Sequence, residues 1–207
     1  MTREALILVD LQNDFCPGGA LAVPEGDAVI AVANALTPRF SLVVATEDQH
    51  PRGHLSFASS HPGKSVYDQI DLEGLPQVLW PDHCVAGTRG AELHPALDRT
   101  RIGHVVPKGT DRHIDSYSGF YDNGHRKATG LHDLLQREGA TDLYVMGLAT
   151  DYCVRWTALD AVKLGYRVFL IADGCRGVGL GPTDIDDALR DMRAAGVTLL
   201  PSSHFDD

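Results

Sequence analysis

The stretch Tyr144-Val-Met-Gly-Leu-Ala-Thr-Asp-Tyr-Cys-Val-Arg-Trp-Thr-Ala158 predicts a strand, a turn and the start of a helix. A short apolar run at 143–146 is typical of a buried strand, and apolar residues recur at helical spacing from Val154 onward. Cys153 therefore falls at the first turn of a helix, where free backbone N–H groups and the helix dipole favour negative charge. This position predicts a lowered thiol pKa and a nucleophilic cysteine; the alternative is an inert, buried cysteine.

Apolar runs alternate with helical patterns along the rest of the chain as well. Such alternation, with strands buried on both faces, predicts an α/β fold: a parallel sheet in a three-layer α/β/α arrangement. The long Gly-, Pro- and His-rich passage at 46–97 carries no predicted element. The predicted strands are 5–9, 41–45, 104–106, 143–146, 167–171 and 197–200, and the predicted helices are 28–36, 131–138, 154–164 and 182–195.

Length and charge limit the classes of function. The 207 residues suit one domain, which we place at 1–207. A formal net charge of −10 and dispersed positive charges argue against a nucleic-acid or anionic-membrane partner. No segment has the length of a membrane span or the pattern of a signal peptide, so we expect a cytoplasmic protein. The cysteines are then expected to be reduced thiols, namely Cys16, Cys84, Cys153 and Cys175.

Polar residues stand where four of the predicted strands end. They are, in strand order, Asp10, Asp48, Lys108 and Cys153. Since the carboxyl ends of parallel strands meet at one edge of a sheet, where ligands bind, we expect these side chains to lie together. A partly desolvated Asp10 suits proton transfer, and an ammonium at Lys108 could stabilise a thiolate. Taken singly, Asp10 could instead cap a turn and Lys108 could be a solvated surface lysine.

A second group of side chains has the composition of a metal site. Asp48 and His50 stand two residues apart, His54 follows them closely, and His83 comes from a rigid, proline-containing loop. One carboxylate with two or three imidazoles suits zinc, iron or manganese. The alternative is a set of loop histidines that are merely exposed to solvent.

Aromatic residues accompany both groups. They are Phe15, Trp80, Tyr117, Phe120 and Tyr121. Such residues can form a slot for a flat ring, and they are also common as plain core or loop anchors.

Together these segments resemble the nicotinamidase/pyrazinamidase family of isochorismatase-like cysteine hydrolases, and the similarity covers nearly the whole chain. Each motif is weak by itself, whereas the ordered set is specific and is similar to the bacterial branch. The motifs are Val9-Asp-Leu-Gln-Asn-Asp-Phe15, Asp48-Gln-His50-Pro, His54, Trp80-Pro-Asp-His83-Cys-Val-Ala-Gly-Thr88, Lys108-Gly-Thr110, Asp115-Ser-Tyr-Ser-Gly-Phe120, Gly147-Leu-Ala-Thr-Asp-Tyr-Cys153 and Asp173-Gly-Cys-Arg-Gly177.

The resemblance implies a parallel sheet of about six strands with helices on both sides, and it assigns roles to the residues. The catalytic triad falls on Asp10, Lys108 and Cys153. The metal ligands fall on Asp48, His50 and His83, with His54 as a further histidine near the metal. A cis peptide is expected at Leu148–Ala149, with the N–H groups of Ala149 and Cys153 as the oxyanion hole. Phe15, Trp80 and Tyr117 would bracket the substrate ring.

The activity implied by the resemblance is hydrolysis of nicotinamide to nicotinate and ammonia in NAD salvage, with pyrazinamide as a second substrate, through a Cys153 thioester. One divalent transition metal is expected, zinc first, with iron and manganese open. The expected partner is a small-molecule substrate, and the sequence leaves open whether the chain forms a homo-oligomer.

Three rival functions remain at this stage. A related amidohydrolase for N-carbamoylsarcosine or a ureido acid shares the Asp–Lys–Cys triad, but such relatives generally lack the metal set. A vinyl-ether hydrolase of the isochorismatase type would not use a cysteine nucleophile such as Cys153. A non-catalytic module on this fold would bind zinc without releasing ammonia from nicotinamide.

Overall fold

The central sheet contains six parallel strands, in a computed structural model that describes residues 3–206. The strands are β1 (Glu4–Val9), β2 (Val43–Asp48), β3 (Gln69–Leu72), β4 (Leu75–Val78), β5 (His104–Lys108), β6 (Asp142–Leu148), β7 (Arg167–Arg176) and β8 (Thr198–Leu200). The helices are α1 (Ala28–Leu36), α2 (Leu131–Arg137), α3 (Arg155–Lys163) and α4 (Asp184–Ala194). The sheet order is β5-β2-β1-β6-β7-β8, and helices flank the sheet, which confirms the predicted fold class.

Apolar composition explains why β1 lies at the centre of the sheet. Every residue from Ala5 to Val9 is fully buried, because the strand pairs with β2 on one side and β6 on the other and is covered on both faces. The flanking helix α1 instead buries one stripe, formed by Val29, Ile30, Ala33 and Leu36. A parallel sheet buried on both faces produces continuous apolar runs, and these were the clearest signal in the sequence.

Two strands run farther toward their carboxyl ends than the apolar pattern predicted. β2 ends at Asp48 and β5 ends at Lys108, and these two residues are direct partners in the β2–β5 ladder. The apolar runs stop earlier because the last residues of both strands point polar groups into a site, while the backbone pairing continues. Asp48 and Lys108 are thus the final residues of their strands, not residues that follow them.

The passage at 46–97 contains a hairpin that the sequence prediction missed. β3 and β4 pair antiparallel through a two-residue turn at Glu73 and Gly74, both with positive φ (52° and 85°). A residue pair ending in glycine between two short runs is a usable hairpin signal. Its consequence for the site is Gln77, which β4 places against the active-site loop.

The described residues share one contiguous apolar core. The single domain at 1–207 stays a prediction, since Met1, Thr2 and Asp207 lie outside the described residues. Between residues 3 and 206, none of the helices combines the length and apolar character needed to cross a membrane.

Candidate active site

A buried ammonium joins the side chains at the strand ends. Lys108 Nζ lies 2.8 Å from Asp10 Oδ2 and 3.4 Å from Cys153 Sγ. It donates hydrogen bonds to Asp48 Oδ1 at 2.6 Å and to the Ser116 carbonyl at 2.9 Å. With the three protons directed to Asp48, Ser116 and Cys153, Asp10 Oδ2 is paired by charge without receiving a well-aligned hydrogen bond from any described residue. That oxygen is free to accept a proton.

Burial and charge set the protonation of this group. Burial raises the pKa of Asp10 to about 6, against the opposing effect of Lys108. Burial alone would lower the pKa of Lys108, but Asp10 and Asp48 hold it well above its usual range, so the lysine is an ammonium. The other Asp10 oxygen, Oδ1, accepts a hydrogen bond of 2.6 Å from the Thr46 hydroxyl, which favours the carboxylate form.

The Cys153 thiol differs from the sequence expectation of a lowered pKa. Burial raises the pKa of Cys153 well above its usual value, and the carboxylates of Asp10 and Asp48 oppose the attraction of Lys108. The cysteine lies in a π-helical turn, Thr150–Val154, immediately before α3. The desolvation that accompanies full burial outweighs the favourable helix start. The resting residue is therefore a thiol that needs a base, and Asp10 stands beside it.

A second cluster adjoins the first. Ligand atoms of Asp48, His50 and His83 lie within 4.8 Å of one another, and all three side chains are buried. His50 directs Nδ1 to the Gly109 carbonyl at 2.9 Å, and its Nε2 has no hydrogen-bond partner among residues 3–206. His83 directs Nδ1 to the Pro81 carbonyl at 2.8 Å. Backbone contacts of this kind fix the ring and leave Nε2 to a metal.

Burial also lowers the pKa of His83 to about 4, so its imidazole is neutral and able to bind a metal ion. The orphaned Nε2 of His50, the neutral His83 and the Asp48 carboxylate together match the donors that zinc, iron and manganese take. The residues present fit a divalent transition metal.

His54 lies outside this cluster. Its ring centroid is 4.5 Å from that of His50, but both of its nitrogens are engaged: Nδ1 with Ser56 Oγ at 2.7 Å and Nε2 with the Asp111 carbonyl at 2.7 Å. In this geometry His54 offers no free nitrogen and braces the His50 ring. The structure therefore does not bring His54 into the ligand set that the sequence prediction gave it.

Two residues of the first motif build the metal cluster without belonging to it. Gln12 clamps the Asp48 backbone, since its Nε2 donates to the Asp48 carbonyl and its Oε1 accepts from the Asp48 N–H, both at 2.8 Å. Asp14 Oδ2 accepts from the Cys84 N–H at 2.7 Å and so anchors the loop that carries His83. Sequence reasoning quoted the motif but missed these roles, because the partners are 36 and 70 residues away.

A narrow cavity of about 20 Å³ opens onto Cys153. Of the predicted ring-binding and oxyanion residues, Phe15, Trp80, Tyr117 and Ala149 all line it. Trp80 Nε1 donates to the Tyr117 hydroxyl at 3.1 Å, which fixes the two rings nearly perpendicular. The remaining lining residues are Leu21, Asp48, His83, Asp115, Tyr152 and Val178.

Other sequence expectations around the cavity have mixed outcomes. The Leu148–Ala149 peptide is cis, as expected. Phe120 and Tyr121 do not reach the cavity: Phe120 is buried against Tyr166, and Tyr121 packs on His125. They are core and loop anchors.

Asp115 is a buried carboxylate that sequence reasoning quoted in a motif without a role. Burial alone would raise its pKa, but His50, His54 and Lys108 hold it below its usual value, so it is ionised. Its oxygens accept from the Ser116 N–H at 2.7 Å and from Gln77 Nε2 at 3.2 Å, and Oδ1 lies 4.0 Å from His50 Nε2. Asp115 thus adds negative charge beside the candidate metal site.

Comparison with known proteins places this geometry among characterised enzymes. The isochorismatase domain family matches residues 4–203. The chain is 52% identical over 211 residues to the nicotinamidase of Escherichia coli (strain K12), covering 100% of this chain and 99% of that protein. The solved structure of an Acinetobacter baumanii nicotinamidase/pyrazinamidase superposes with a TM-score of 0.95 at 44% identity, covering 99% and 98% of the two chains. A Pyrococcus horikoshii pyrazinamidase in complex with zinc gives a TM-score of 0.78 at 38% identity, covering 96% and 99%.

Proposed function

Because the chain belongs to the isochorismatase domain family, we propose that it is a metal-dependent cysteine amidohydrolase that converts nicotinamide to nicotinate and ammonia. Pyrazinamide, converted to pyrazinoate, is the second substrate. The activity belongs to NAD salvage in the cytoplasm, where cysteines stay reduced, and all four cysteines of this chain are free thiols. The observation that carries the proposal is the buried Lys108 ammonium between Asp10 and Cys153, next to Asp48, His50 and His83.

Formation of the nucleophile follows from the charges. Asp10 Oδ2 takes the proton of the Cys153 thiol, and Lys108 stabilises the resulting thiolate. The sulfur attacks the amide carbon, and the N–H groups of Ala149 and Cys153 hold the developing oxyanion. The proton on Asp10 passes to the departing amide nitrogen, which leaves as ammonia. The product of this half-reaction is a thioester on Cys153.

Hydrolysis of the thioester uses the same residues in reverse order. Asp10, again a carboxylate, takes a proton from water as the water oxygen attacks the thioester carbon. The C–S bond breaks, nicotinate forms, and the Cys153 sulfur regains its proton from Asp10. Lys108 stays charged throughout, because its two carboxylate neighbours stabilise the ammonium.

The ring is held by the cavity walls and the metal cluster. Phe15, Trp80 and Tyr117 bracket its faces and edge. Asp48, His50 and His83 hold one divalent ion, for which we propose zinc, with His54 bracing His50. What a bound ion supplies is a Lewis-acidic site for the pyridine nitrogen, which fixes the orientation of the ring.

Removal of a ligand is expected to remove both metal and activity. His83→Ala deletes one imidazole, and Asp48→Ala deletes the only carboxylate of the cluster. Each variant should hold far less than one metal ion per chain by elemental analysis. Chelated wild-type protein should lose ammonia release and regain it with added zinc, iron or manganese. His94→Ala, outside the cluster, serves as the control; full metal content in His83→Ala would rule out the ligand assignment.

The Thr46 hydroxyl is expected to set the acid limb of the reaction. Protonated Asp10 cannot accept the thiol proton, so kcat/KM should fall as the pH drops below about 6. Thr46→Val removes a hydrogen bond that favours the carboxylate, so the pKa of Asp10 rises and the limb moves to higher pH. The pH profile of kcat/KM measures this. Thr37→Val, another buried threonine bonded to a backbone carbonyl, should leave the limb in place; an unmoved limb in Thr46→Val would argue against Asp10 as the base.

One assay separates the proposed activity from its rivals. Ammonia release is followed with nicotinamide, pyrazinamide and N-carbamoylsarcosine in parallel. We expect turnover of the first two and none of the third. Turnover of the carbamoyl compound alone would assign the chain to the related amidohydrolases, and metal binding without ammonia release from any of them would indicate a non-catalytic module.

A further inference from the structure

We infer that Asp151 is a positioning residue that fixes the 177–179 segment, and that Val178 in this segment determines which substituted ring amides enter the cavity. The inference rests on the proposed function and concerns the selectivity of the same site. It assigns a role to a buried carboxylate that the mechanism above does not use.

Asp151 lies two residues before the nucleophile and is 5% exposed. Its side chain does not face the catalytic lysine. Instead, Oδ1 accepts the Val178 N–H at 2.9 Å and Oδ2 accepts the Gly179 N–H at 2.8 Å. Hydrogen bonds from a carboxylate to backbone N–H groups are charge-assisted and stronger than neutral ones. The turn that carries Cys153 and the segment that follows β7 are therefore tied through one side chain.

Close packing on its other side leaves the segment little freedom. A Cβ placed on Gly177 would lie 2.5 Å from Ile185 Cγ1 of α4 and 3.2 Å from Asp151 Oδ1. The backbone at Gly177 is thus held between α4 and the Asp151 carboxylate, and only glycine allows this approach. Gly179 turns the chain away with a φ of +62°.

Val178 is the residue of this segment that lines the cavity, together with Cys153, Ala149 and Tyr152. The cavity is only about 20 Å³, so a wall that moves by the width of a methyl group changes which ring is accepted. A pocket discriminates one added or missing methylene by roughly 10- to 200-fold. Since Val178 is held by its own N–H, its place in the wall depends on Asp151.

Two measurements test the inference. Steady-state kinetics compares nicotinamide with ring-methylated nicotinamides in wild-type protein, Val178→Ala and Asp151→Asn. Amide hydrogen exchange follows the Val178 and Gly179 N–H groups without substrate. The asparagine amide presents N–H groups where one backbone N–H needs an acceptor, so one bond is lost.

Val178→Ala should raise the kcat/KM ratio of a methylated amide to nicotinamide by about tenfold or more. Its kcat for nicotinamide should stay within a few-fold of wild type, because the triad is untouched. Asp151→Asn should move the same ratio in the same direction, and exchange at Val178 or Gly179 should accelerate at least about tenfold. A general loss of folding would lower all substrates alike and would not move the ratio.

Asp173→Asn is the matched control, because its carboxylate also binds a following segment, through the Ser202 N–H and hydroxyl, away from the cavity. It should leave the substrate ratio unchanged. An unchanged ratio in Val178→Ala, or protected Val178 and Gly179 amides in Asp151→Asn, would overturn the inference while wild-type turnover of nicotinamide stands. Absence of nicotinamide turnover in wild-type protein would instead overturn the proposed function.

Discussion

Cys153→Ala is expected to abolish ammonia release from nicotinamide, with kcat reduced on the order of 10⁴-fold or more. The sulfur is the atom that forms the covalent bond, so no other side chain in the cavity can replace it. Lys108 and Asp10 remain in place, but their charges then act on no nucleophile. The rate is measured by coupled detection of ammonia at saturating nicotinamide.

The control for this variant is another buried cysteine. Cys16 is 2% exposed, lies in the apolar core and is absent from the cavity lining. Cys16→Ala should keep the wild-type rate, while both alanine variants should remain folded, because loss of one buried sulfur removes few contacts. Near wild-type turnover in Cys153→Ala would refute covalent catalysis at this residue.

Lys108→Met is expected to lower both stability and activity. The methionine keeps the length of the side chain but removes the charge, and it leaves Asp10 and Asp48 as buried carboxylates without their common partner. Breaking a buried ion pair in this way costs about 3–5 kcal/mol in the free energy of unfolding. Activity should fall on the order of 10³-fold or more, because the thiolate loses its stabilising charge. Denaturant unfolding and ammonia release measure the two effects.

A second substitution separates the two roles of the lysine. In Lys108→Met combined with Asp10→Asn, one unpaired carboxylate is gone, so a part of the lost stability should return while activity stays lost. Lys64→Met, at an exposed lysine, should change neither property. Full activity in Lys108→Met would show that the ammonium is dispensable for the chemistry.

Much of the fold could be predicted because a doubly covered parallel sheet produces apolar runs, as in β1. Its boundaries were harder to predict where structure and polarity separate. β2 continues to Asp48 and β7 to Arg176, since backbone pairing does not require apolar side chains. The β3–β4 hairpin was missed because its strands are short and mostly half-buried or exposed.

The candidate site was predictable to the extent that its residues stand at strand ends or in motifs. The positions of Asp10, Lys108 and Cys153 follow from sheet topology, which brings strand ends to one edge. The supporting contacts could not be read in this way: those of Gln12 and Asp151 join segments 36 and about 27 residues apart. The raised pKa of Cys153 was also missed, because burial depends on the whole tertiary structure.

The central claim is that the reaction passes through an acyl group on Cys153. Wild-type protein turning over saturating nicotinamide is quenched in acid, and its intact mass is measured, followed by peptide mapping. The account predicts a fraction of the protein that has gained one nicotinoyl group, located on the peptide containing Cys153. Ammonia release at full rate with no acylated protein, or with the acyl group on another residue, would contradict it.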